Sequence, residues 1–346
     1  MSRAPASPPP GCHPDSIVLR FPVPPELHGW RLDHFIQRQI PRLSRSRAHA
    51  IVRACARHAD GRRRRPGQRV QRGEVVLLVR QRFEEPAAPL AFAVYYEDDD
   101  ILVVDKPAGL PVHPSATYHR HTLSYQLAQR YPAIRPQITH RLDRETSGLV
   151  VCAKHRDAER TLKRAFEARL VDKGYRAIIR GRLRPQAGEF DAPLKAQAQA
   201  LLHMCMQVTT PDDPNGLAAS TAYRIEACAP AHSLVALKPR TGRQHQLRVH
   251  LAAAGHAIVG DKLYGDRGAQ VFVDYIDAGM TPALLAELGH PRHALHAAEI
   301  AFLHPRHATP VHFTAPLPSD MQQLWQDCLA AASKRASSSP AGDSTA

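Results

Sequence analysis

The order of strand and helix signals along residues 93–325 constrains the fold more than any other feature of the sequence. Apolar or alternating strand patterns occur at 94–97, 101–104, 149–153, 174–180 and 234–238, and helical spacing of apolar residues occurs at 121–131, 155–170 and 240–256. These segments do not follow the regular strand–helix–strand repeat of a parallel sheet. They predict an α+β domain with a mixed, largely antiparallel sheet flanked by helices.

A dense group of arginines precedes this domain. Residues 42–72 contain eleven arginines and one acidic residue, Asp60, a net charge of +10 out of +14 for the whole chain of 346 residues. Apolar residues at helical spacing predict helices over 30–39 and from Ser44 to about 55, with Ser44 as the N-cap. The stretch therefore predicts a small α/β module rather than a disordered basic arm, although a merely solvated basic face is the alternative.

Arginine side chains suit phosphate because their planar forks match its oxygens and their charge persists at all physiological pH values. An anionic partner, and nucleic acid first, follows from this charge distribution. The residues predicted to contact a nucleic-acid backbone are Arg45, Arg47, Arg53, Arg62, Arg63, Arg64 and Arg65.

Composition divides the chain into five parts. We predict a flexible tail and lead-in at 1–28, the basic module at 29–81, a proline-containing linker at 82–92, the large domain at 93–325 and a mostly disordered tail at 326–346. No run of about 18 apolar residues and no apolar signal-peptide segment occurs. Six cysteines without a CxxC pair fit a reducing compartment. We expect a cytoplasmic monomer without membrane contact.

The segment THRLDRETSGLVVCAK (139–154) places a polar loop directly before an apolar strand. Asp143 lies between Arg141 and Arg144, and adjacent cations favour an ionised carboxylate. Such a carboxylate in a partly dry pocket can act as a nucleophile or a general base. On spacing alone, a carboxylate that only bonds a turn or an arginine remains an open alternative.

Two later segments hold further candidates. Tyr175 shares one strand face with Ala177 and Ile179, so its phenol points towards a packed face, as a core tyrosine would. Arg248 follows the core residue Leu247 at the edge of a helical apolar stripe. It could reach a carboxylate in a cleft or lie on the surface.

Metal and cofactor signals are weak. The histidines at 113, 119 and 121 lack the spacing of a metal site, and the segment HMCM (203–206) is interpreted as strand packing. Neither a phosphate-binding loop nor a GxGxxG motif is present. We therefore expect no metal site and no nucleotide-driven chemistry.

Five blocks of the large domain, in this order, resemble the RluA family of RNA pseudouridine synthases. They are VVDKPAGLPVHPS (103–115), HRLDRETSGLVV (140–151), KGYRAIIRG (173–181), TGRQHQLRVHLAAAGHAIVGDKLYG (241–265) and ALHAAEIAFLHP (294–305). The basic module, with LSRSRAHAIVR at its centre, resembles the S4 RNA-binding domain that precedes the catalytic domain in many members. The resemblance covers most of residues 30–320.

The resemblance implies that uridine in RNA is isomerised to pseudouridine without a cofactor or metal. The C1′–N1 bond breaks, the base turns, and C5 is joined to C1′, in an order of steps that stays open. By position, the resemblance implies Asp143 as the catalytic aspartate and Arg248 as its pairing partner. It implies Tyr175 as the platform under the target base, Leu247 as a pocket wall and Arg141 as the base-flipping residue.

The substrate expected first is structured RNA of the large ribosomal subunit. Alternatives are the same chemistry on tRNA, a non-catalytic RNA-binding protein of ribosome assembly, and an N-glycosidase that uses Asp143 and Glu145 as a carboxylate pair. Segments 196–220 and 266–293 depart from the family pattern, and we interpret 266–293 as an insertion. Since both segments could border the RNA, the choice of target stays open.

Overall fold

The computed structural model describes residues 8–14, 16–40, 43–80, 85–115, 117–197, 201–202 and 204–337, with the side chains of 332–337 left aside. The chain divides into two compact units, Met1–Glu85 and Pro86–Ala346. Parts of the predicted tails (1–7 and 338–346), of the linker (82–84) and of the HMCM segment (203) lie outside the described residues.

The first unit packs two helices against a small antiparallel sheet. Its elements are β1 (Ile17–Pro22), a 3-10 turn (Pro25–Leu27), α1 (Leu32–Gln39), α2 (Arg45–Cys55), β2 (Ala56–Arg57) and β3 (Val75–Arg80). The strand order is β1-β3-β2. Leu32, Phe35 and Val52 are fully buried between the layers. The predicted helices are confirmed, and Ser44 caps α2 by accepting the Arg47 N–H at 3.3 Å.

Strand β1 lies inside the segment predicted as a flexible lead-in, so that prediction is wrong for residues 17–22. The strand pairs along its whole length with β3, from Ile17 opposite Arg80 to Pro22 opposite Val75. This partner lies about sixty positions along the chain, as the register shows. The local sequence pattern of β1 is weak, and its strand conformation is stabilised by hydrogen bonds to β3. A short stretch of sequence cannot show a partner so far along the chain.

The second unit is built around one large sheet. Its elements are β4 (Ala93–Glu97), β5 (Ile101–Lys106), α3 (Leu123–Arg130), β6 (Gln137–Ile138), β7 (Ser147–Ala153), α4 (Arg156–Glu167), β8 (Asp172–Arg180), β9 (Ala187–Asp191), β10 (Leu194–Ala196), β11 (Met206–Val208), β12 (Ser220–Cys228), β13 (His232–Pro239), α5 (Gln246–Ala253), α6 (Gln270–Ala278), α7 (Pro282–Leu288), β14 (Leu295–Leu303), β15 (Pro310–Thr314) and α8 (Ser319–Ser337).

The strand order of that sheet is β4-β5-β7-β14-β8-β13-β12-β9, with β15 added to β14 and β6 added to β7. Within the described residues, β7 and β14 run parallel and the other pairs are antiparallel. This arrangement confirms the predicted α+β class with a mixed, largely antiparallel sheet.

Strand β7 is the rigid centre of the unit, with all seven residues buried. Leu149 and Val151 share a cluster with Leu162 of α4, while Val150 shares a cluster with Leu127 of α3. Because side chains alternate along a strand, each helix covers one face of β7. The polar loop 139–146 that precedes β7 is therefore attached to the best-packed element of the unit.

Helix α8 corrects the predicted C-terminal tail, which was expected to be disordered from residue 326. The helix continues to Ser337, and Met321, Leu324, Trp325 and Cys328 are buried or pack against the core. These residues recur at helical spacing, so one face of the helix packs against the core and stabilises it. The Ser- and Ala-rich composition of the segment does not indicate this packing.

The segment 266–293 folds as the helices α6 and α7 with a small core of its own, which includes Val271, Leu284 and Leu288. In the segment 196–220, β11 pairs with β10. None of the helices in the described residues is both long enough and apolar enough to cross a membrane.

Candidate active site

A cavity of about 210 Å³ opens where the loop before β7 meets the start of α5 and the strand β8. Asp143, Tyr175, Leu247 and Arg248 line it together with Arg141. The structure thus brings all five of these predicted site residues to one place, from segments far apart in sequence. The volume is below the ~300–1,000 Å³ of sites for drug-sized molecules, so the cavity suits a small ring.

The loop 139–146 is fixed by contacts at most of its positions. The Thr139 hydroxyl donates to the carbonyl of Val151 at 2.8 Å, and His140 Nε2 accepts the Val151 N–H at 3.0 Å. Leu142 is buried in the core, and the Thr146 hydroxyl lies 2.8 Å from Nε2 of His293. The positions between these anchors, 141 and 143, carry the side chains that line the cavity.

Lys106 holds the same loop through its main chain. Its ammonium donates to the carbonyls of Pro107 and Leu110 at 2.9 Å and to that of Arg144 at 3.0 Å. The side chain is completely buried, and burial lowers the pKa of Lys106 to about 7. Three acceptors match the three N–H groups of an ammonium, so this buried lysine serves as a clamp on the loop backbone.

Arg248 lies between two carboxylates. Its Nη1 donates to Asp143 Oδ2 at 3.0 Å, while Nε and Nη2 donate to the two oxygens of Asp261 at 2.7 and 2.8 Å. Burial by itself would lower the pKa of the guanidinium, but Asp261 and Asp143 outweigh burial and raise the pKa of Arg248 above its ordinary value. The arginine therefore stays charged in the interior.

The burial of Arg248 corrects its predicted place at the edge of a helical stripe. Residues 246–251 of α5 are all buried, so the helix has no exposed face over this span. Asp261, whose side chain is completely buried, neutralises the arginine and also accepts the N–H groups of Leu263 and Tyr264. Asp261 was not predicted; the only local signal was an acid that follows the apolar residues Ile258 and Val259.

Asp143 keeps one oxygen for a ligand. Arg248 occupies Oδ2, whereas within the described residues no donor reaches Oδ1. The side chain is 27% exposed, and this exposure is towards the cavity that it lines. A fixed carboxylate with a free oxygen in a small cavity can attack a carbon atom or accept a proton.

Two residues beside this pair were not predicted as part of the site: His245, which lines the cavity, and Tyr264, whose ring lies 5.0 Å from the Arg248 guanidinium. His245 precedes α5 in a left-handed conformation with φ 55°, and its Nδ1 lies 2.6 Å from the Tyr264 hydroxyl. That hydroxyl also accepts the Met206 N–H at 3.0 Å, so Tyr264 links His245 to the backbone of β11. Burial, with the charge of Arg248, lowers the pKa of His245 to about 4, which keeps the ring neutral.

Tyr175 lies in β8 between the strands β13 and β14. Its ring packs against two apolar clusters, as the strand pattern predicts, and also lines the cavity. Burial and the nearby charge of Asp143 raise the pKa of Tyr175 above its ordinary value. The phenol is therefore neutral and presents a flat apolar face to whatever enters.

The basic module of the first unit presents most of its predicted arginines to solvent. Exposed side chains are those of Arg45, Arg47, Arg53, Arg62, Arg63 and Arg65. Arg64 is the exception: its side chain is 4% exposed and donates to Glu74 at 3.1 Å. The prediction that Arg64 contacts an RNA backbone is therefore wrong, because this charge is neutralised inside the unit.

One group of possible metal ligands, Asp98, Asp100 and His304, is found among the described residues. His304 Nε2 already lies 3.0 Å from Asp98, and Arg306 donates to Asp100 at 2.7 Å. These contacts satisfy the donors and acceptors of the group, which therefore functions as a structural network.

Two histidines, the half-buried His140 and the buried His296, predict a loss of stability in acid. Burial lowers the pKa of His140 to about 3 and that of His296 to about 4. The unfolded chain takes up these protons near pH 6.5, before the folded chain does, so the free energy of unfolding should fall as pH drops below 6.5. Each of the two histidines should lower the free energy of unfolding by about 1.4 kcal/mol for every pH unit below 6.5, down to its pKa in the folded protein.

Urea unfolding at several pH values below 6.5 measures this slope. His140→Gln should reduce the slope by the contribution of one histidine. The fold should be kept, because the glutamine oxygen can still accept the Val151 N–H. The exposed His312 offers a matched control, and His312→Gln should leave the slope as it is. Equal slopes for His140→Gln and the unmodified protein would contradict the expectation.

Comparison with known proteins shows that the chain is similar to RNA pseudouridine synthases. Residues 100–253 match the family model described as RNA pseudouridylate synthase. The chain is 38% identical over 318 residues to "Ribosomal large subunit pseudouridine synthase D" of Xanthomonas campestris pv. campestris, covering 90% of this chain and 92% of that protein. The protein of the same description from Yersinia pestis is 36% identical over 318 residues, covering 89% and 94%.

A solved structure supports the same assignment. "Human RNA Pseudouridylate Synthase Domain Containing 4" superposes with a TM-score of 0.56 at 26% sequence identity. The match covers 68% of this chain and 92% of the human chain.

Proposed function

The chain belongs to the RluA family of RNA pseudouridine synthases, and we propose that it isomerises uridine to pseudouridine at specific sites of large-subunit ribosomal RNA. The relatives named for the large ribosomal subunit match it over nearly their whole length, which favours this RNA over tRNA. The observation that carries the chemistry is the Asp143 carboxylate, held at 3.0 Å by Arg248 in a small cavity that Tyr175 also lines.

The isomerisation conserves every atom of the nucleotide. The N1–C1′ bond breaks, the C5–C1′ bond forms, one proton leaves C5 and one reaches N1, so no oxidant, reductant or group donor is consumed. In our proposal Asp143 Oδ1 makes the first contact, by attack on C1′ or on the base or by removal of the C2′ proton. Arg248 fixes the other oxygen and so aims the free one, a positioning effect that can supply several kcal/mol.

The remaining walls of the cavity hold the base during its turn. Tyr175 provides the stacking platform, an interaction worth ~1–3 kcal/mol per base, and Leu247 closes the side. A base must leave its stack to enter, at a cost of a few kcal/mol, and Arg141 at the rim fills the role of displacing it. Enclosure keeps water away from C1′, where it would release the base.

Two alternatives fit the geometry less well. An N-glycosidase would need Glu145 beside Asp143, but Glu145 bonds Lys262 at 2.8 and 3.0 Å and does not line the cavity. A purely RNA-binding protein would not need a fixed carboxylate with a free oxygen in a small cavity. In our proposal the protein acts as a monomer in the cytoplasm, and its free cysteines fit a reducing compartment.

Nucleotide-resolution pseudouridine mapping of all cellular RNA, with and without the gene, tests the proposal. We expect one or more uridines of large-subunit ribosomal RNA to lose their modification in the deletion strain and to regain it when the gene is returned. Loss only in tRNA would refute the ribosomal target, and an unchanged map would refute the enzymatic role.

The arginines of the first unit allow a separate prediction. We expect Arg63→Ala/Arg65→Ala to weaken RNA binding for all sequences and to reduce the salt slope of the affinity by about 0.7–0.9 for each phosphate that is no longer bound. Arg64 is left in place because its bond to Glu74 supports the fold. Binding titrations over a range of salt concentrations measure the slope; an unchanged slope would mean that these side chains do not bind phosphate.

A further inference from the structure

A second cavity, of about 470 Å³, shares Arg141 with the Asp143 cavity. We call it the flanking cavity. Its polar lining includes His113, Arg135, Gln137, Arg141 and Lys163. No acidic side chain lines it among the described residues, so its potential is positive. In keeping with this, burial and the charges of Arg141 and Lys163 lower the pKa of His113.

The two arginines of the flanking cavity are free to bind a ligand. Both side chains are exposed, and neither forms a hydrogen bond or ion pair with any residue that the structure describes. Lys163 differs, since it donates to Glu159 at 2.6 Å. Arg144, next along the loop, also differs, since it bonds Tyr118 and Glu145. Arg135 and Arg141 thus keep all their side-chain N–H donors for a partner.

The backbone at Arg135 is held in a strained conformation. Its φ is 50°, a left-handed conformation that costs a residue with a side chain about 1–2 kcal/mol. Pro136 follows, and the residue before a proline normally adopts an extended conformation. The strained turn is held because the Arg135 N–H donates to the Tyr131 carbonyl at 2.8 Å and the Gln137 amide donates to the Arg135 carbonyl at 2.7 Å. Strain of this kind is concentrated at ligand sites.

We propose that the flanking cavity binds a backbone phosphate of the RNA strand beside the nucleotide that enters the Asp143 cavity, with Arg135 as its principal ligand. The proposal rests on the proposed function. A strand whose nucleotide is extruded into one cavity must continue along the adjoining wall, and Arg141 belongs to both walls. Two guanidinium forks in a cavity whose lining includes no acidic side chain match the charge and geometry of a phosphodiester.

Salt-dependent binding of a ribosomal RNA fragment that contains the target uridine tests this site. Arg135→Ala should weaken binding about tenfold and reduce the salt slope by about 0.7–0.9, the effect of one bound phosphate. Arg156→Ala is the matched control: it removes the same charge from an exposed position of the same unit that lines neither cavity. If the two variants have equal affinities and slopes, the proposal is overturned.

Methylphosphonate substitution locates the phosphate. One neutral linkage at a time is placed within a few nucleotides of the target uridine, and binding of each RNA is measured. One linkage should weaken binding to the unmodified protein and to Arg156→Ala, yet leave binding to Arg135→Ala unchanged. If every linkage affects all three proteins equally, the flanking cavity binds no phosphate. A failure of the proposed function is distinguishable, because the unmodified protein would then form no pseudouridine in any of these RNAs.

Discussion

Replacing Asp143 by asparagine is expected to lower the rate of pseudouridine formation by at least about a thousandfold, with little change in RNA affinity. The amide has the shape of the carboxylate and its oxygen can still accept from Arg248, so the cavity should keep its form. A neutral amide can neither attack carbon nor take up a proton. The change therefore removes the chemistry and leaves the binding surfaces in place.

Single-turnover conversion of a ribosomal RNA fragment, with binding measured on the same samples, separates the two effects. Asp157→Asn is the matched control, because this carboxylate on α4 is 84% exposed and lies away from the cavity lining. The control should convert uridine at the normal rate. Conversion by Asp143→Asn within tenfold of normal would remove Asp143 from the chemistry.

Site residues could be placed on their loops and strands from the sequence where the pattern of neighbouring residues is clear. Asp143 lies in a polar loop directly before an apolar strand, and Tyr175 lies in a strand with clear alternation, so both could be placed on their elements from the sequence. The match of five blocks to a family then grouped residues that are distant along the chain. Their meeting in one cavity is consistent with that grouping.

The interactions that were missed are pairs between distant or differently buried residues. The pairing of Arg248 with Asp143, 105 positions away, was expected only from the family resemblance. The binding of Arg248 to Asp261 was missed, because it depends on a helix buried on every side. Arg64 has the same sequence surroundings as its exposed neighbours, and only the fold brings Glu74 beside it. Strand β1 gains its hydrogen bonds from β3. Composition and local pattern cannot predict these interactions, because each depends on which residues the tertiary fold brings together.

The buried pair of Arg248 and Asp261 is expected to show the largest effect on stability. Arg248→Met leaves the completely buried Asp261 carboxylate without its cation, and such losses cost about 3–5 kcal/mol. Urea unfolding measures this free energy. Arg267→Met, which breaks the ion pairs of this half-exposed arginine with Asp274 and Glu287, is the control and should cost much less. A cost for Arg248→Met no greater than that of the control would contradict the expectation.

A double variant separates the structural role of Arg248 from its role towards Asp143. In Arg248→Met/Asp261→Asn both buried charges are gone, and the asparagine oxygen can still accept the N–H groups of Leu263 and Tyr264. We expect most of the lost stability to return, since a neutral replacement of a buried ion pair is often tolerated. Activity should stay low in the double variant even though it folds, because Arg248 no longer holds the Asp143 carboxylate in position. If activity returned together with stability, Arg248 would be only a structural support for the cavity.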